Sequence, residues 1–363
     1  MEPSHTIGSR SPRWRELFSP RAATRPVSSS GRATQGPRRD ASSTDPGHEL
    51  RIRAADGYEL AATVFEPGGP LRGVVLVAGA TAVPRSYYAP FGAHLAAHGL
   101  AVVTYDYRGI GGSRPDDLGR FRATMTDWAR LDTAAALDLA RRVARSRPVA
   151  YVGHSFGGQA LGLLDDAAGL AGVLLVGAQL GFVGNFPPLA RPRLHLLWNV
   201  LVPVVTSAIG YFPGELGLVE DLPGGVAAEW AKWCRHPEYL LGYHPDARAR
   251  LAALHAPVVA YGFSDDDYAP RRAVEALTSK LGSADVDTRF VSPGALVPPG
   301  QKAPRIGHFG FFRPAMEALL WPEARQVLDA FVDGRVAPPP IRPGAHEVSE
   351  DDVLADLAYG RGG

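Results

Sequence analysis

Residues 148–158 read P-V-A-Y-V-G-H-S-F-G-G, and the rest of the chain is read outward from this stretch. Val149 to Val152 is a short β-branched and aromatic run suited to a buried parallel strand, and Gly153-His154-Ser155-Phe156-Gly157 then spells G-x-S-x-G. A sharp turn from strand to helix forces its central residue into a strained backbone conformation. A Cβ two residues to either side would collide with that turn, so glycine at 153 and 157 lets the backbone close. The spacing predicts a serine hydroxyl at the start of a helix over Gly157 to Asp166, where unpaired N–H groups and the helix dipole favour developing negative charge. In a chain with 41 glycines the five-residue pattern arises readily by chance. Strand before and helix after are what make Ser155 a candidate nucleophile.

Strands are expected upstream at Glu49 to Arg53 and Tyr58 to Phe65, flanking an Asp56-Gly57 hairpin turn, then at Gly73 to Ala78 and Ala101 to Tyr105. The run Gly73 to Ala78 is apolar throughout, as in a parallel strand covered on both faces. Helices are expected around Tyr87 to His98 and Met125 to Arg145, the latter with Leu131, Ala135, Leu139 and Val143 on one stripe. Downstream come strands at Val173 to Val176, Pro257 to Tyr261 and Val286 to Val291, and helices around Arg271 to Leu281 and Pro314 to Val332. Strand and helix alternate at the period of βαβ units, which predicts an α/β fold with a mainly parallel sheet and helices on both faces.

The alternation stops over 181–251, an aromatic and proline-rich stretch containing Trp198, Tyr211, Phe212, Trp230, Trp233, Tyr239 and Tyr243. An insertion after the sixth strand sits over the carboxyl edge of the sheet, where open α/β folds bind ligands, and is expected to be a cap. The predicted organisation is therefore a disordered N-terminal segment at 1–47, a core in two parts at 48–180 and 252–333 around the 181–251 cap, and a mobile tail at 334–363 with one short helix. The Arg- and Ser-rich, acid-poor N-terminal segment also fits an organellar transit peptide.

A chain of 363 residues with 45% hydrophobic and 21% charged residues can bury a full core, and a formal net charge of +1 gives no reason to expect a nucleic-acid partner. Its single cysteine, Cys234, is read as a small buried hydrophobe and rules out an internal disulfide framework, which fits a reducing, cytoplasmic compartment. The most apolar run, Leu194 to Phe212, carries His195, Asn199, Pro203 and Gly210, so it is expected to be a buried or lipid-facing amphipathic segment rather than a membrane span. No zinc-ligand spacing and no Gly-rich phosphate loop is found, so neither metal nor cofactor is expected.

Ser155 needs a base, and the base an orienting carboxylate, in the chain order Ser, Asp, His. After the strand ending at Tyr261 stands G-F-S-D-D-D-Y-A-P (262–270), and after the last strand I-G-H-F-G (306–310). One of the three aspartates is also suited to capping the next helix, and His308 could instead be a packed histidine among Phe309, Phe311 and Phe312. His308 is nevertheless the best-placed base. His154 is read as packing, since its side chain points away from that of Ser155.

With G-H-S-F-G-G (153–158), D-Y-R-G-I-G-G-S (106–113), the aspartate loop and G-H-F-G (307–310), the chain over about His48 to Asp333 resembles the α/β-hydrolase superfamily. The likeness is to its capped branch of lipase-like, lysophospholipase-like and serine aminopeptidase-like hydrolases. The resemblance implies an acid in G-x-x-D-x-x-x-P. Counting back from Pro270 gives Asp266 and counting forward from Gly262 gives Asp265, with Asp266 favoured. It further implies an oxyanion site built from the N–H groups of Phe156 and Ala80, although Ala78 replaces the usual histidine before Gly79. The Arg108 to Ser113 turn is given no catalytic role. The implied activity is a serine hydrolase cleaving an ester of a small apolar substrate through a Ser-His-Asp triad. Acyl transfer or small-peptide hydrolysis by the same triad, and a non-catalytic binding module, are the other readings.

Overall fold

The computed structural model describes residues 47–167, 169–282 and 285–340. The disorder expected for 1–46 and the short helix expected in the tail beyond 340 lie outside the described residues. The first strands are β1 (His48–Arg53), β2 (Glu59–Phe65), β3 (Gly73–Ala78), β4 (Leu100–Tyr105), β5 (Val149–His154) and β6 (Gly172–Val176). After two short strands, β7 (Tyr211–Phe212) and β8 (Leu222–Pro223), come β9 (Val258–Phe263) and β10 (Val286–Val291). Eight of them form one sheet of order β1-β2-β4-β3-β5-β6-β9-β10, and β7 pairs with β8 apart from it. β1 and β2 form the expected antiparallel hairpin, with Gly57 at φ 88°, β2 also pairs antiparallel with β4, and the remaining pairs of this sheet are parallel. The run Gly73–Ala78 is buried at every residue, as a strand covered on both faces must be.

Helices cover both faces. One layer carries α1 (Ala89–Ala96) and the other α2, a helix over 125–144 opened by a Thr124/Asp127 capping box. α2 differs from its expected stripe, because Leu131 and Val143 are only partly buried while Asp132, Ala136, Ala140 and Ala144 face inward. A π-helical turn, Trp128–Thr133, is the reason. The Thr133 hydroxyl donates to the Trp128 carbonyl (2.8 Å), and buried Asp132 accepts both the Arg108 N–H and its Nε–H (2.8 Å each). These side-chain bonds widen one turn and rotate the inward face.

The helix after Ser155 is shorter than expected. α3 is Phe156–Gln159, continued only by a 3₁₀ turn, Ala160–Gly162. Gly157, Gly158 and Gly162 weaken it, and it is wholly buried rather than amphipathic. Between β6 and β9 the chain leaves the sheet. There it builds α4, a helix over 191–209 with a π-helical turn at Leu197–Leu201, then α5 (Gly224–Cys234) and α6 (Pro245–Ala252). α7 (Arg271–Thr278) and α8 (Trp321–Val332) complete the core. The last helix starts seven residues later than Pro314, because Pro322 in its first turn suits a helix start and not a helix interior. The chain beyond α8 is tied down at its outset, the Pro338 carbonyl accepting from the buried Arg289 guanidinium at 2.6 Å.

Candidate active site

The carboxyl ends of β3, β5, β6, β9 and β10 converge on one edge of the sheet. At the end of β5, Ser155 takes φ 52°, ψ −113°, one of four non-glycine residues with positive φ among those described. Holding a side-chain-bearing residue there costs on the order of 1–3 kcal/mol, so the surroundings must enforce it. They do so through contact distances. A Cβ on Gly153 would meet Gly158 Cα at 2.7 Å, and one on Gly157 would meet the Ala78 carbonyl oxygen at 2.1 Å. Gly158, which the motif alone did not single out, faces Ala178 in the same way at 2.4 Å. The Ser155 N–H donates to the Val176 carbonyl (3.0 Å), which fastens the elbow to the end of β6.

The loops after β9 and β10 bring Asp266 and His308 together. His308 Nδ1 lies 2.8 Å from Asp266 Oδ2, and both side chains are almost fully buried. Asp266 Oδ1 accepts the N–H groups of Tyr268 (2.8 Å) and Ala269 (2.9 Å), so each of its oxygens is satisfied. Tyr268 stacks on the imidazole, with ring centroids 5.2 Å apart. Burial pushes the Tyr268 hydroxyl up to about 12, with the Asp266 charge adding to it. Gly177, after β6, is what admits the pair, since a Cβ there would approach His308 Nδ1 at 3.2 Å and Asp266 Oδ2 at 3.3 Å.

The neighbouring aspartates do not cap α7, whose N-cap is Pro270 without a side-chain bond. Asp265 instead turns to the base loop, accepting the N–H of Ile306 (3.0 Å) and of Gly307 (2.9 Å). Its burial raises its pKa, against the pull of those two N–H groups. Asp267 is exposed. Two adjacent carboxylates thus divide the work, one holding the ring of His308 and the other the backbone of the two residues before it.

The oxyanion expectation is corrected at one of its two positions. Phe156 is the first residue of α3, where a first-turn N–H has no partner within the helix. The Ala80 N–H, however, donates to the Tyr88 hydroxyl at 2.7 Å and is committed there. The Tyr88 hydroxyl also meets His154 Nδ1 (2.8 Å), and His154 Nε2 meets the His308 carbonyl (2.9 Å). A carbonyl only accepts, so Nε2 carries the proton, Nδ1 accepts from Tyr88, and Tyr88 accepts from Ala80. Every hydrogen in the chain has one direction. His154 is fully buried, and that burial, followed by the charge of His308, holds its pKa well below the usual histidine value. His154 therefore does pack, as expected, and it also joins the β3 loop to the base loop. Tyr88 gave no sequence signal because what fixes its hydroxyl between Ala80 and His154, 66 residues further on, is tertiary packing.

The D-Y-R-G turn is a brace. Arg108 pairs with buried Asp132 and with Asp56, while buried Asp106 accepts from the Gly112 N–H (2.8 Å) and pairs with Arg85. Cys234 is buried, and burial raises its thiol pKa well above normal, as suits a packing residue. Among the described residues no cluster of histidine, cysteine and carboxylate side chains has metal-binding geometry, and no helix is long and apolar enough to cross a membrane.

The model of the alpha/beta hydrolase family matches residues 74–319. The chain belongs to that family. By sequence it is similar to an uncharacterized protein of Mycobacterium tuberculosis, 28% identical over 263 residues, covering 71% of this chain and 75% of that one. Among solved structures, a soluble variant of monoglyceride lipase from Saccharomyces cerevisiae, bound to a substrate analog, superposes with a TM-score of 0.59 at 14% identity. That match covers 82% of this chain and 99% of the lipase. A thermophilic esterase from Thermogutta terrifontis gives a TM-score of 0.50 at 18% identity, over 78% and 99% of the two chains. At these identities the structural likeness speaks for the α/β-hydrolase fold.

Proposed function

We propose that this α/β hydrolase cleaves carboxylic esters of small apolar substrates through a covalent acyl-Ser155 intermediate. The observation that carries the reading is the 2.8 Å Asp266–His308 contact, made by loops that converge on the strained Ser155 turn. The Ser155 hydroxyl attacks the ester carbonyl carbon as His308 Nε2 takes its proton, and Asp266 holds the Nδ1–H that sets this tautomer. The carbonyl oxygen becomes an oxyanion facing the Phe156 N–H at the start of α3. Collapse breaks the bond to the alkoxide, which leaves with the proton from His308. A water molecule then repeats the sequence and releases the acid. With Ala80 committed to Tyr88, Phe156 is the one backbone donor assigned to the oxyanion.

The segment between β6 and β9 is read as the cap. Its aromatic residues, including Trp198 and Trp230 with ring centroids 4.8 Å apart, favour an acyl or otherwise apolar substrate. The lone, buried Cys234 suits a reducing, cytoplasmic compartment. The test is labelling with a fluorophosphonate, followed by turnover of p-nitrophenyl esters of increasing chain length. Wild-type protein is expected to label and turn over. Ser155→Ala should do neither while melting normally, its turnover falling by several orders of magnitude. Undiminished turnover in Ser155→Ala would end the assignment.

A further inference from the structure

The segment over 189–209 is unusual for its surface. Nine large hydrophobic side chains are exposed among the described residues, and six of them, Leu189, Leu196, Val200, Leu201, Val204 and Ile209, fall here. Exposed apolar residues scattered singly need no explanation, but a contiguous set marks an interaction surface. On α4, Leu196 (61% exposed), Val200 (49%) and Val204 (62%) stand four residues apart and so form one outer stripe. The inner side of the same helix is anchored by buried Trp198 and Val202. The helix therefore cannot turn its stripe inward without giving up those anchors.

The charge pattern selects the occupant. No aspartate or glutamate occurs from Ala167 to Gly214, while Arg191, Arg193 and His195 cluster in the first turns of α4. Cations at a helix N-terminus oppose the helix dipole, so this placement does not serve the helix itself. Arg191 is used on the carbonyls of Phe186 and Gly184. Arg193 is exposed, and its charge reaches Tyr268, the residue stacked on His308. At the far end, Arg120 and Arg122 border Ile209 together with Asp117, which pairs with Arg120. A second copy of the chain meeting this face about a two-fold axis would present the same helix, which has no acidic residue over 191–209, so α4 itself offers the arginines no counter-charge. A bilayer surface carrying anionic lipid supplies both an apolar layer for the stripe and phosphate for the cationic end.

We propose that the outer face of α4 docks on an anionic lipid surface, its apolar stripe entering the boundary between headgroups and acyl chains. The docking does not depend on ester hydrolysis, and the two are tested separately.

The test is co-sedimentation of the full chain with vesicles of phosphatidylcholine alone and of phosphatidylcholine mixed with phosphatidylglycerol, beside turnover of water-soluble p-nitrophenyl acetate. Wild-type protein should bind the phosphatidylglycerol vesicles and lose that binding in high salt. Val200→Glu and Val204→Glu should each weaken it roughly tenfold or more, as expected when a side chain of this size no longer leaves water. Both sites are exposed, so both variants should melt and turn over the soluble ester as wild type does. Absence of vesicle binding by a wild-type protein that turns over the soluble ester overturns the docking and leaves the hydrolase reading intact. Vesicle binding without turnover does the reverse. Self-association of the wild type that either variant abolishes, with no vesicle binding, identifies a second copy as the occupant and also overturns the proposal.

Discussion

Replacing Asp266 by asparagine separates the ring-holding carboxylate from its neighbour. In the folded protein Asp266 Oδ1 accepts two N–H groups, from Tyr268 and Ala269, and Oδ2 meets His308 Nδ1. An asparagine keeps the two backbone bonds only if its oxygen takes the Oδ1 place, which turns the amide NH₂ toward the imidazole. Nδ1 must then accept, the proton moves to Nε2, and the base can no longer take the Ser155 proton. In established triads this exchange costs up to about 10⁴ in kcat, roughly 5.5 kcal/mol at about 1.36 kcal/mol per decade. The two retained N–H bonds limit the loss of stability to about 1 kcal/mol. Asp265→Asn should behave oppositely. Its two oxygens accept one N–H each, and an amide can replace only one, leaving a buried donor unsatisfied at a cost of about 1–3 kcal/mol. A lower melting temperature with most of the turnover kept is expected. Turnover of a p-nitrophenyl ester and melting curves for both variants decide the matter. A dead Asp265→Asn beside a working Asp266→Asn would refute the assignment and the tautomer argument together.

Three further outcomes follow from the geometry. Tyr88→Phe removes the hydroxyl that accepts from Ala80 and donates to His154, so it should lower stability by about 2 kcal/mol or more, read by chemical denaturation. Burial holds His154 neutral in the folded chain, so only the unfolded chain gains that proton as pH falls through about 6.5. The stability from this group is complete above that value and declines as pH falls below it. His94 and His244, also lowered chiefly by burial, act in the same direction, and His154→Gln should remove one share of the slope. Gly157→Ala places a methyl group 2.1 Å from the Ala78 carbonyl oxygen, and loss of folded protein in expression and circular dichroism is expected, since a cost above about 4 kcal/mol is the mark of such overpacking.

The sheet was legible because each of its strands is a short apolar or alternating run punctuated by turn residues, and Gly73–Ala78 and Val286–Val291 came out residue for residue. Helix ends were less so. The π turn in α2 follows from Thr133 bonding the Trp128 carbonyl and from Asp132 being drawn to Arg108, neither visible in helical periodicity. At the site, the elbow and His308 were readable from spacing and chain order, whereas Asp266 was favoured over Asp265 only through the motif that the family resemblance implies. The second oxyanion position was not, because what decides it is the Tyr88 hydroxyl, whose partners on His154 and Ala80 are set by tertiary packing. The role of Asp265 was likewise hidden, since its partners, Ile306 and Gly307, lie 41 and 42 residues away.

The bond from His154 to the His308 carbonyl spans 154 residues of sequence. On the ribosome, the segment bearing Ser155 emerges long before the one bearing its base, and His154 has no acceptor for its Nε2 proton until the last strand and its loop arrive. Contacts of such long range form late in folding. On the proposed mechanism a nascent or truncated chain therefore carries the serine without the means to use it, and turnover becomes a readout of completed folding. In a denaturant titration, activity and tryptophan fluorescence should disappear over the same range, with no species that is partly assembled yet active.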